Sequence, residues 1–188
     1  WVRNNEPEIY EKCKHILLPK DYVRYKLTGE FATEVSDASG MQLLDIKNRC
    51  WSDEVLGLLD IDKSLLAKVY ESPEITGYYN GIPVVGGAGD NAAAAVGTGV
   101  VRPGRAFTTI GTSGVVYAHT DKPIIDKKGR VHTFCCAVPN QWHVMGVTQA
   151  AGLSLKWFKE NFMPEFSYKE IDEIAEKISI GAEKLLYL

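Results

Sequence analysis

Ile82-Pro83-Val84-Val85-Gly86-Gly87-Ala88-Gly89-Asp90-Asn91-Ala92-Ala93-Ala94-Ala95-Val96 is the stretch on which the fold turns. Its first four residues form a short β-branched run bounded by turn signals, which predicts a buried strand. The alanines that follow Asn91 are strong helix formers. Between strand and helix, glycines let the backbone turn sharply and leave room for a ligand. An acidic side chain, Asp90, therefore stands where the helix begins. The helix dipole and free N–H groups at that end favour its ionised form. An ionised carboxylate at the mouth of a cleft can accept a proton from a substrate hydroxyl. Asp is also a preferred helix cap, a role that needs no chemistry.

On the C-terminal side, residues 105–110, 115–119, 131–137 and 142–147 read as strands, with turns at Gly111-Thr112-Ser113-Gly114 and Pro139-Asn140. The first of these turns places two hydroxyls between glycines. Such a turn can offer successive backbone N–H groups to phosphate oxygens, although Gly/Ser/Thr-rich hairpin turns are common without any ligand. Residues 149–162 and 168–177 read as helices, and Trp142, Trp157, Phe158 and Phe162 as core aromatics.

On the N-terminal side, residues 6–14 have helical character. Asp21 is placed to cap a helix through residues 22–27 that stops at Gly29. Ser36-Asp37-Ala38-Ser39-Gly40 is a turn cluster in which Asp37 either caps or faces a cleft. Ser52-Asp53-Glu54 opens a helix over residues 55–59, and residues 63–69 read as another. Helices, then strand–turn–helix, then hairpins, then helices indicate an α/β protein with a mixed sheet. A boundary between two lobes is expected near residues 79–81.

Composition bounds the function. The chain has 188 residues, 45% of them hydrophobic, and a net charge of −3. It lacks the basic excess of a broad nucleic-acid footprint and any apolar run long enough to span a bilayer. Cys13, Cys50, Cys135 and Cys136 form no C-x-x-C pair, and His15, His119, His132 and His143 show no metal-ligand spacing. Free thiols suit a reducing cytoplasm. Trp1 in place of an initiator Met, and the apolar strand-like run Leu185-Leu186-Tyr187-Leu188, read as the ends of a piece cut from a longer chain.

Gly87-Ala88-Gly89-Asp90-Asn91-Ala92 also matches the dinucleotide fingerprint G-x-G-x-x-A. That fingerprint expects an acid about 20 residues on to hold a ribose. Residues 105–111 contain none, the next acid after Asp90 being Asp121. An Asp inside the turn would also repel a pyrophosphate. A dinucleotide-binding oxidoreductase is therefore a formal alternative only.

The motifs Leu17-Leu18-Pro19-Lys20-Asp21-Tyr22, Leu27-Thr28-Gly29-Glu30, Ser36-Asp37-Ala38-Ser39-Gly40, Gly87-Ala88-Gly89-Asp90-Asn91-Ala92-Ala93 and Ile110-Gly111-Thr112-Ser113-Gly114, in this order, resemble the FGGY family of carbohydrate kinases. The likeness covers nearly the whole chain and is nearest to the members that act on D-xylulose. It implies an actin-like, ribonuclease H-related fold. Residues 1–79 would be the C-terminal part of the first, sugar-binding lobe, and residues 80–188 the N-terminal part of the second, ATP-binding lobe. It further implies phosphoryl transfer from ATP, with Mg2+ accompanying it near Asp90, to a ketopentose hydroxyl. Asp90 would be the catalytic base, Asp90 and Asn91 sugar contacts, and Gly111, Thr112 and Ser113 phosphate contacts. The partners implied are sugar and ATP, without nucleic acid or membrane, and a homodimer is compatible. Two family features are missing, an upstream Asp-Gly-Thr-type phosphate loop and the downstream adenosine-binding half, so the chain alone is expected to be inactive. A kinase of another sugar or polyol, or a folded segment without activity, are the alternatives. Between Gly77 and Ile82 the family carries about ten more residues than the four found here.

Overall fold

The structure, a computed structural model, describes residues 1–185. It separates into two compact units, residues 1–108 with 116–146, and residues 109–115 with those from 147 onward.

The first unit opens with two short helices, α1 (Val2–Asn5) and α2 (Pro7–Glu11), and then α3 (Pro19–Thr28). Pro19 begins α3 because its fixed φ suits the first turn and its missing N–H is not needed there. Gly29 ends it in the left-handed region at φ 77°. Leu18, not the expected Asp21, holds the N-cap position; Asp21 lies within the first turn, buried and paired with Arg24. Next come β1 (Ala32–Glu34), α4 (Val35–Ala38), β2 (Leu44–Asp45), β3 (Cys50–Trp51) and α5 (Asp53–Leu59). Ser52 caps α5 as the sequence indicates, its hydroxyl accepting from the Val55 N–H at 3.3 Å.

Residues 63–69 do not form the expected helix. A single 3₁₀ turn, Lys63–Leu65, gives way to β4 (Lys68–Tyr70), which pairs in parallel with β1 through Thr33 and Val69. A local apolar run thus follows its tertiary partner rather than its own periodicity.

β5 (Ile75–Tyr79) and β6 (Ile82–Val85) form an antiparallel ribbon whose turn is Asn80-Gly81, at φ 49° and 79°. Both turn residues are left-handed, the arrangement that Asn-Gly favours because its twist matches that of the strands. The short connection is therefore a closed hairpin. β6 is not the buried strand expected: Ile82 and Val85 are 64% and 44% exposed, because β6 pairs with β5 alone.

After the corner come α6 (Asp90–Gly97), β7 (Ala106–Ile110), β8 (Gly114–Thr120), β9 (His132–Cys135) and β10 (Trp142–Thr148), with sheet order β7-β8-β10-β9. The main core gathers Val35, Ala38, Leu44, Trp51, Leu56 and Leu66 with Cys135, and Trp142 packs against it. Polar contacts pin the same join: the Trp142 indole donates to the Ile46 carbonyl at 2.7 Å, and the Cys135 N–H to the Ser39 hydroxyl at 3.0 Å. A smaller cluster, Ala95, Val100 and Tyr117, seats α6 with Phe107 against it.

The second unit carries α7 (Gly152–Phe162) and α8 (Tyr168–Ala175). Trp157 and Phe158 each lie against Phe162, ring centroids 5.4 and 5.3 Å apart, yet all three are well exposed, so they form a surface aromatic group and not the expected core. Ser167 and Glu170 close a capping box at the start of α8. Beyond Leu185, the strand expected at the chain's end lies outside the described residues.

Candidate active site

The glycine corner is held by close packing at its start and by backbone hydrogen bonds. Gly86 is buried, and a Cβ there would sit 3.0 Å from both the Glu34 Cβ and the Glu71 carbonyl, so any side chain would have to push these neighbours back. Its N–H donates to the Glu74 carbonyl and that of Gly87 to the Ser72 carbonyl, at 2.9 and 3.0 Å. Gly87 then turns through φ 80°. Gly89, not Asp90, takes the N-cap position of α6, its own N–H donating to the Ser36 hydroxyl at 3.0 Å.

Asp90 is the first helical residue and is exposed. One carboxylate oxygen accepts from the Asn91 N–H at 2.7 Å and from the Asn91 carboxamide at 3.2 Å. Asp90 and Asn91 are therefore brought together and oriented by each other. One of the helix-start N–H groups that a pyrophosphate would use is thus occupied by Asp90, whose own charge would repel that anion.

Behind the corner lies an ionic platform that sequence reasoning missed. Arg24 donates to the carbonyls of Gly86 and Ala32 and pairs with Asp21 at 2.8 Å. Lys20 donates to the Gly86 carbonyl at 3.2 Å and lies 3.3 Å from both Asp21 and Glu34. Glu34 is fully buried, with four donors on its carboxylate: the N–H and hydroxyl of Ser36, the Asp37 N–H and the Ser72 hydroxyl, at 2.7–2.9 Å. The available signal was Lys20-Asp21 followed by Arg24, three charges within the first turns of a helix. It reads as a solvated face unless the partner strand is known.

Glu34 caps α4, so Asp37 is released from the capping role expected of it. Asp37 instead lines a cleft of about 110 Å³ with Ser36, Asp90, Asn91, Phe134 and His143. Burial raises its pKa; Lys20, 3.8 Å away, pulls it back down, while Glu34, Asp21 and Asp90 push it up. His143 is 2% exposed, stacked on Tyr117 at 4.1 Å and edge-on to Phe134 at 5.6 Å. Burial, with His119 nearby, depresses its pKa to about 4. Among the described residues neither of its ring nitrogens has a hydrogen-bond partner.

The second sequence motif belongs to the other unit. Gly111 and Thr112 are exposed and Ser113 is half-buried. The Gly111 N–H donates to the Ser113 carbonyl at 2.9 Å, and the carbonyls of Gly111 and Thr112 accept from the N–H groups of Gly152 and Ala151, each at 2.8 Å. A Cβ on Gly152 would come within 2.5 Å of the Gly111 carbonyl, which explains glycine at the first residue of α7. Among the described residues, the N–H groups and hydroxyls of Thr112 and Ser113 are left without protein acceptors or donors. Such a set of free donors suits phosphate oxygens.

The described residues contain no group of three or more His, Cys, Asp or Glu placed to hold a metal ion, and no helix long and apolar enough to cross a membrane. All four cysteines are free thiols. Burial raises the pKa of Cys135 to about 11 and that of Cys136 as well, which makes both poor nucleophiles.

Comparison with known proteins places these features in a wider set. Residues 1–97 match the sequence model described as "FGGY family of carbohydrate kinases, N-terminal domain". A xylulose kinase of Lactococcus lactis is 41% identical over 198 aligned positions, covering all of this chain and 39% of that protein. A xylulose kinase of Escherichia coli is 42% identical over 167 positions, covering 84% of this chain and 34% of its own length. A crystal structure titled as a xyloylose kinase from Brucella ovis superposes with a TM-score of 0.88 at 36% identity, over 95% of this chain and 39% of that one. The chain thus spans about 40% of the length of the relatives it matches, and the fold is that of their actin-like kinase architecture.

Proposed function

Because the chain belongs to the FGGY family of carbohydrate kinases, we propose that it contributes to ATP-dependent phosphorylation of a ketopentose, D-xylulose foremost, with Asp90 as the catalytic base. The observation that carries the reading is the exposed Asp90 carboxylate, fixed by Asn91 on one side and by a buried ionic platform beneath its glycine corner. The xylulose kinase names of the relatives favour that sugar over others.

A carboxylate is far too weak a base to ionise an alcohol beforehand. The proton therefore passes to Asp90 as the bond between the sugar oxygen and phosphorus forms, and the bond from that phosphorus to the ADP leaving oxygen breaks. Asn91 holds Asp90 in place and presents its carboxamide to the sugar. Gly111, Thr112 and Ser113 offer N–H and hydroxyl donors to the nucleotide's phosphates. Magnesium fits as an ion carried by ATP, since Asp90 supplies an exposed oxygen ligand of the hard type it takes, and when bound it would neutralise phosphate charge. In this reading residues 1–79 belong to the sugar-binding lobe and residues 80–188 to the ATP-binding lobe of a cytoplasmic enzyme, with a homodimer compatible.

The test is Asp90→Ala in the full-length protein, followed by sugar-dependent ADP release with D-xylulose. Loss of turnover by roughly 10²–10⁴-fold with an unchanged melting temperature is expected. Unaltered turnover would reject the assignment.

A further inference from the structure

We propose that Asp37 is a second substrate-binding residue, a carboxylate that accepts hydrogen bonds from hydroxyls of the polyol whose reacting hydroxyl lies at Asp90. The inference rests on the sugar-kinase reading above and names a contact which that reading does not include.

Four observations converge on it. First, Asp37 stands in the first turn of a helix, where a carboxylate ordinarily satisfies the free N–H groups, yet Glu34 already does so and even accepts the N–H of Asp37 itself at 2.9 Å. Second, the Asp37 side chain lines the same cleft as Asp90 and Asn91 and is only partly exposed, so it bears a desolvation cost that a plain surface acid avoids. Third, among the described residues Lys20, at 3.8 Å, is the one close cation, and no protein donor is hydrogen-bonded to the Asp37 carboxylate. Lys20 offsets part of the cost of the charge without using up the lone pairs. Fourth, Gly89 faces it: a Cβ there would lie 3.4 Å from the Asp37 Oδ1, so glycine keeps that oxygen uncovered at the corner.

A carboxylate with no donor bonded to it has about four acceptor sites to offer when ionised. Polyol hydroxyls are donors that match them. Opposite, neutral His143 and the ring of Phe134 supply a less polar wall. Asp90 and Asn91 bond each other, whereas Asp37 has no such neighbour and is the acceptor left open to the substrate.

The experiment compares wild type, Asp37→Ala and Asp37→Asn as full-length proteins, measuring KM for D-xylulose, KM for ATP and the rise in melting temperature given by D-xylulose alone. Losing a charge-assisted hydrogen bond raises KM for the sugar by about 10- to 100-fold. KM for ATP should stay within about two-fold, and the sugar-induced thermal shift should shrink. Asp37→Asn, which keeps one acceptor oxygen, should fall between. If Asp37→Ala does not fold, Asp37→Asn is assayed with monodeoxy sugars: the analogue that wild type discriminates against should lose that penalty in the variant. Sugar KM and thermal shift equal to wild type in both variants would overturn the proposal while leaving the kinase reading intact. A wild-type protein that shows neither sugar-dependent ADP release nor a sugar-induced shift refutes the kinase reading itself, and this inference with it.

Discussion

Glu34 has no exposed surface, and every bond it makes is to a group that shapes the site. Through Ser36 it reaches the N–H of Gly89, and through Lys20 the carbonyl of Gly86. Removing one member of a buried charged group leaves its partners unpaired and costs about 3–5 kcal/mol. Glu34→Ala should therefore lower unfolding free energy by that order, read from the denaturant midpoint. At this scale the sequence was legible where one residue has one local job. Gly29 as a helix stop and Ser52 as a cap both follow from backbone geometry alone. It was not legible where a charge is satisfied across the fold. Asp21 and Asp37 look like caps because Asp near a helix start usually is one; their partners are Arg24 and Lys20, while α3 starts at Leu18 without a side-chain cap and Glu34 caps α4.

Among the elements, the four strands of the larger sheet, α6 and the last two helices follow the patterns expected of them, since each is long enough for its periodicity to speak. The errors fall on short pieces. Residues 63–69 carry apolar side chains at helical spacing, but Val69 finds Thr33 on β1 and becomes strand. Asn80-Gly81 is the strongest two-residue hairpin signal there is, and the turn it closes is shorter than the connection that the family likeness implied. α8 offers a clean test of local chemistry, because its capping box is exposed and, among the described residues, the side-chain hydrogen bonds of Ser167 and Glu170 are all within the box. Ser167→Ala should destabilise that helix by about 1 kcal/mol, seen as roughly five-fold faster amide exchange in its first turn.

For the molecule as a whole, His143 sets an acid limit. Its folded pKa, about 4, lies below the ordinary value of 6.5, so the unfolded chain binds the extra proton between those values. Stability from this group is complete above about pH 6.5, declines as pH falls and is gone below about pH 4. The span corresponds to on the order of 3 kcal/mol. Denaturation midpoints at pH 7 and pH 5 should differ by much of that amount in wild type and by less in His143→Phe, which keeps the stacking on Tyr117. None of this could be read from the sequence, where His143 is one of four unpaired histidines; its burial comes from β8 and β9 closing around β10.

The reach of Trp142 back to Ile46, and of Cys135 back to Ser39, bears on how the polypeptide is made. A ribosome that has released residues up to Gly97 has finished the whole family-matched segment but not the two side chains that close its apolar cluster. Val35, Leu44 and Trp51 can gather with Leu56 and Leu66 by then, but the cluster stays incomplete for some forty further residues of synthesis. Such late closure slows folding and lengthens the time for which a growing chain is open to aggregation.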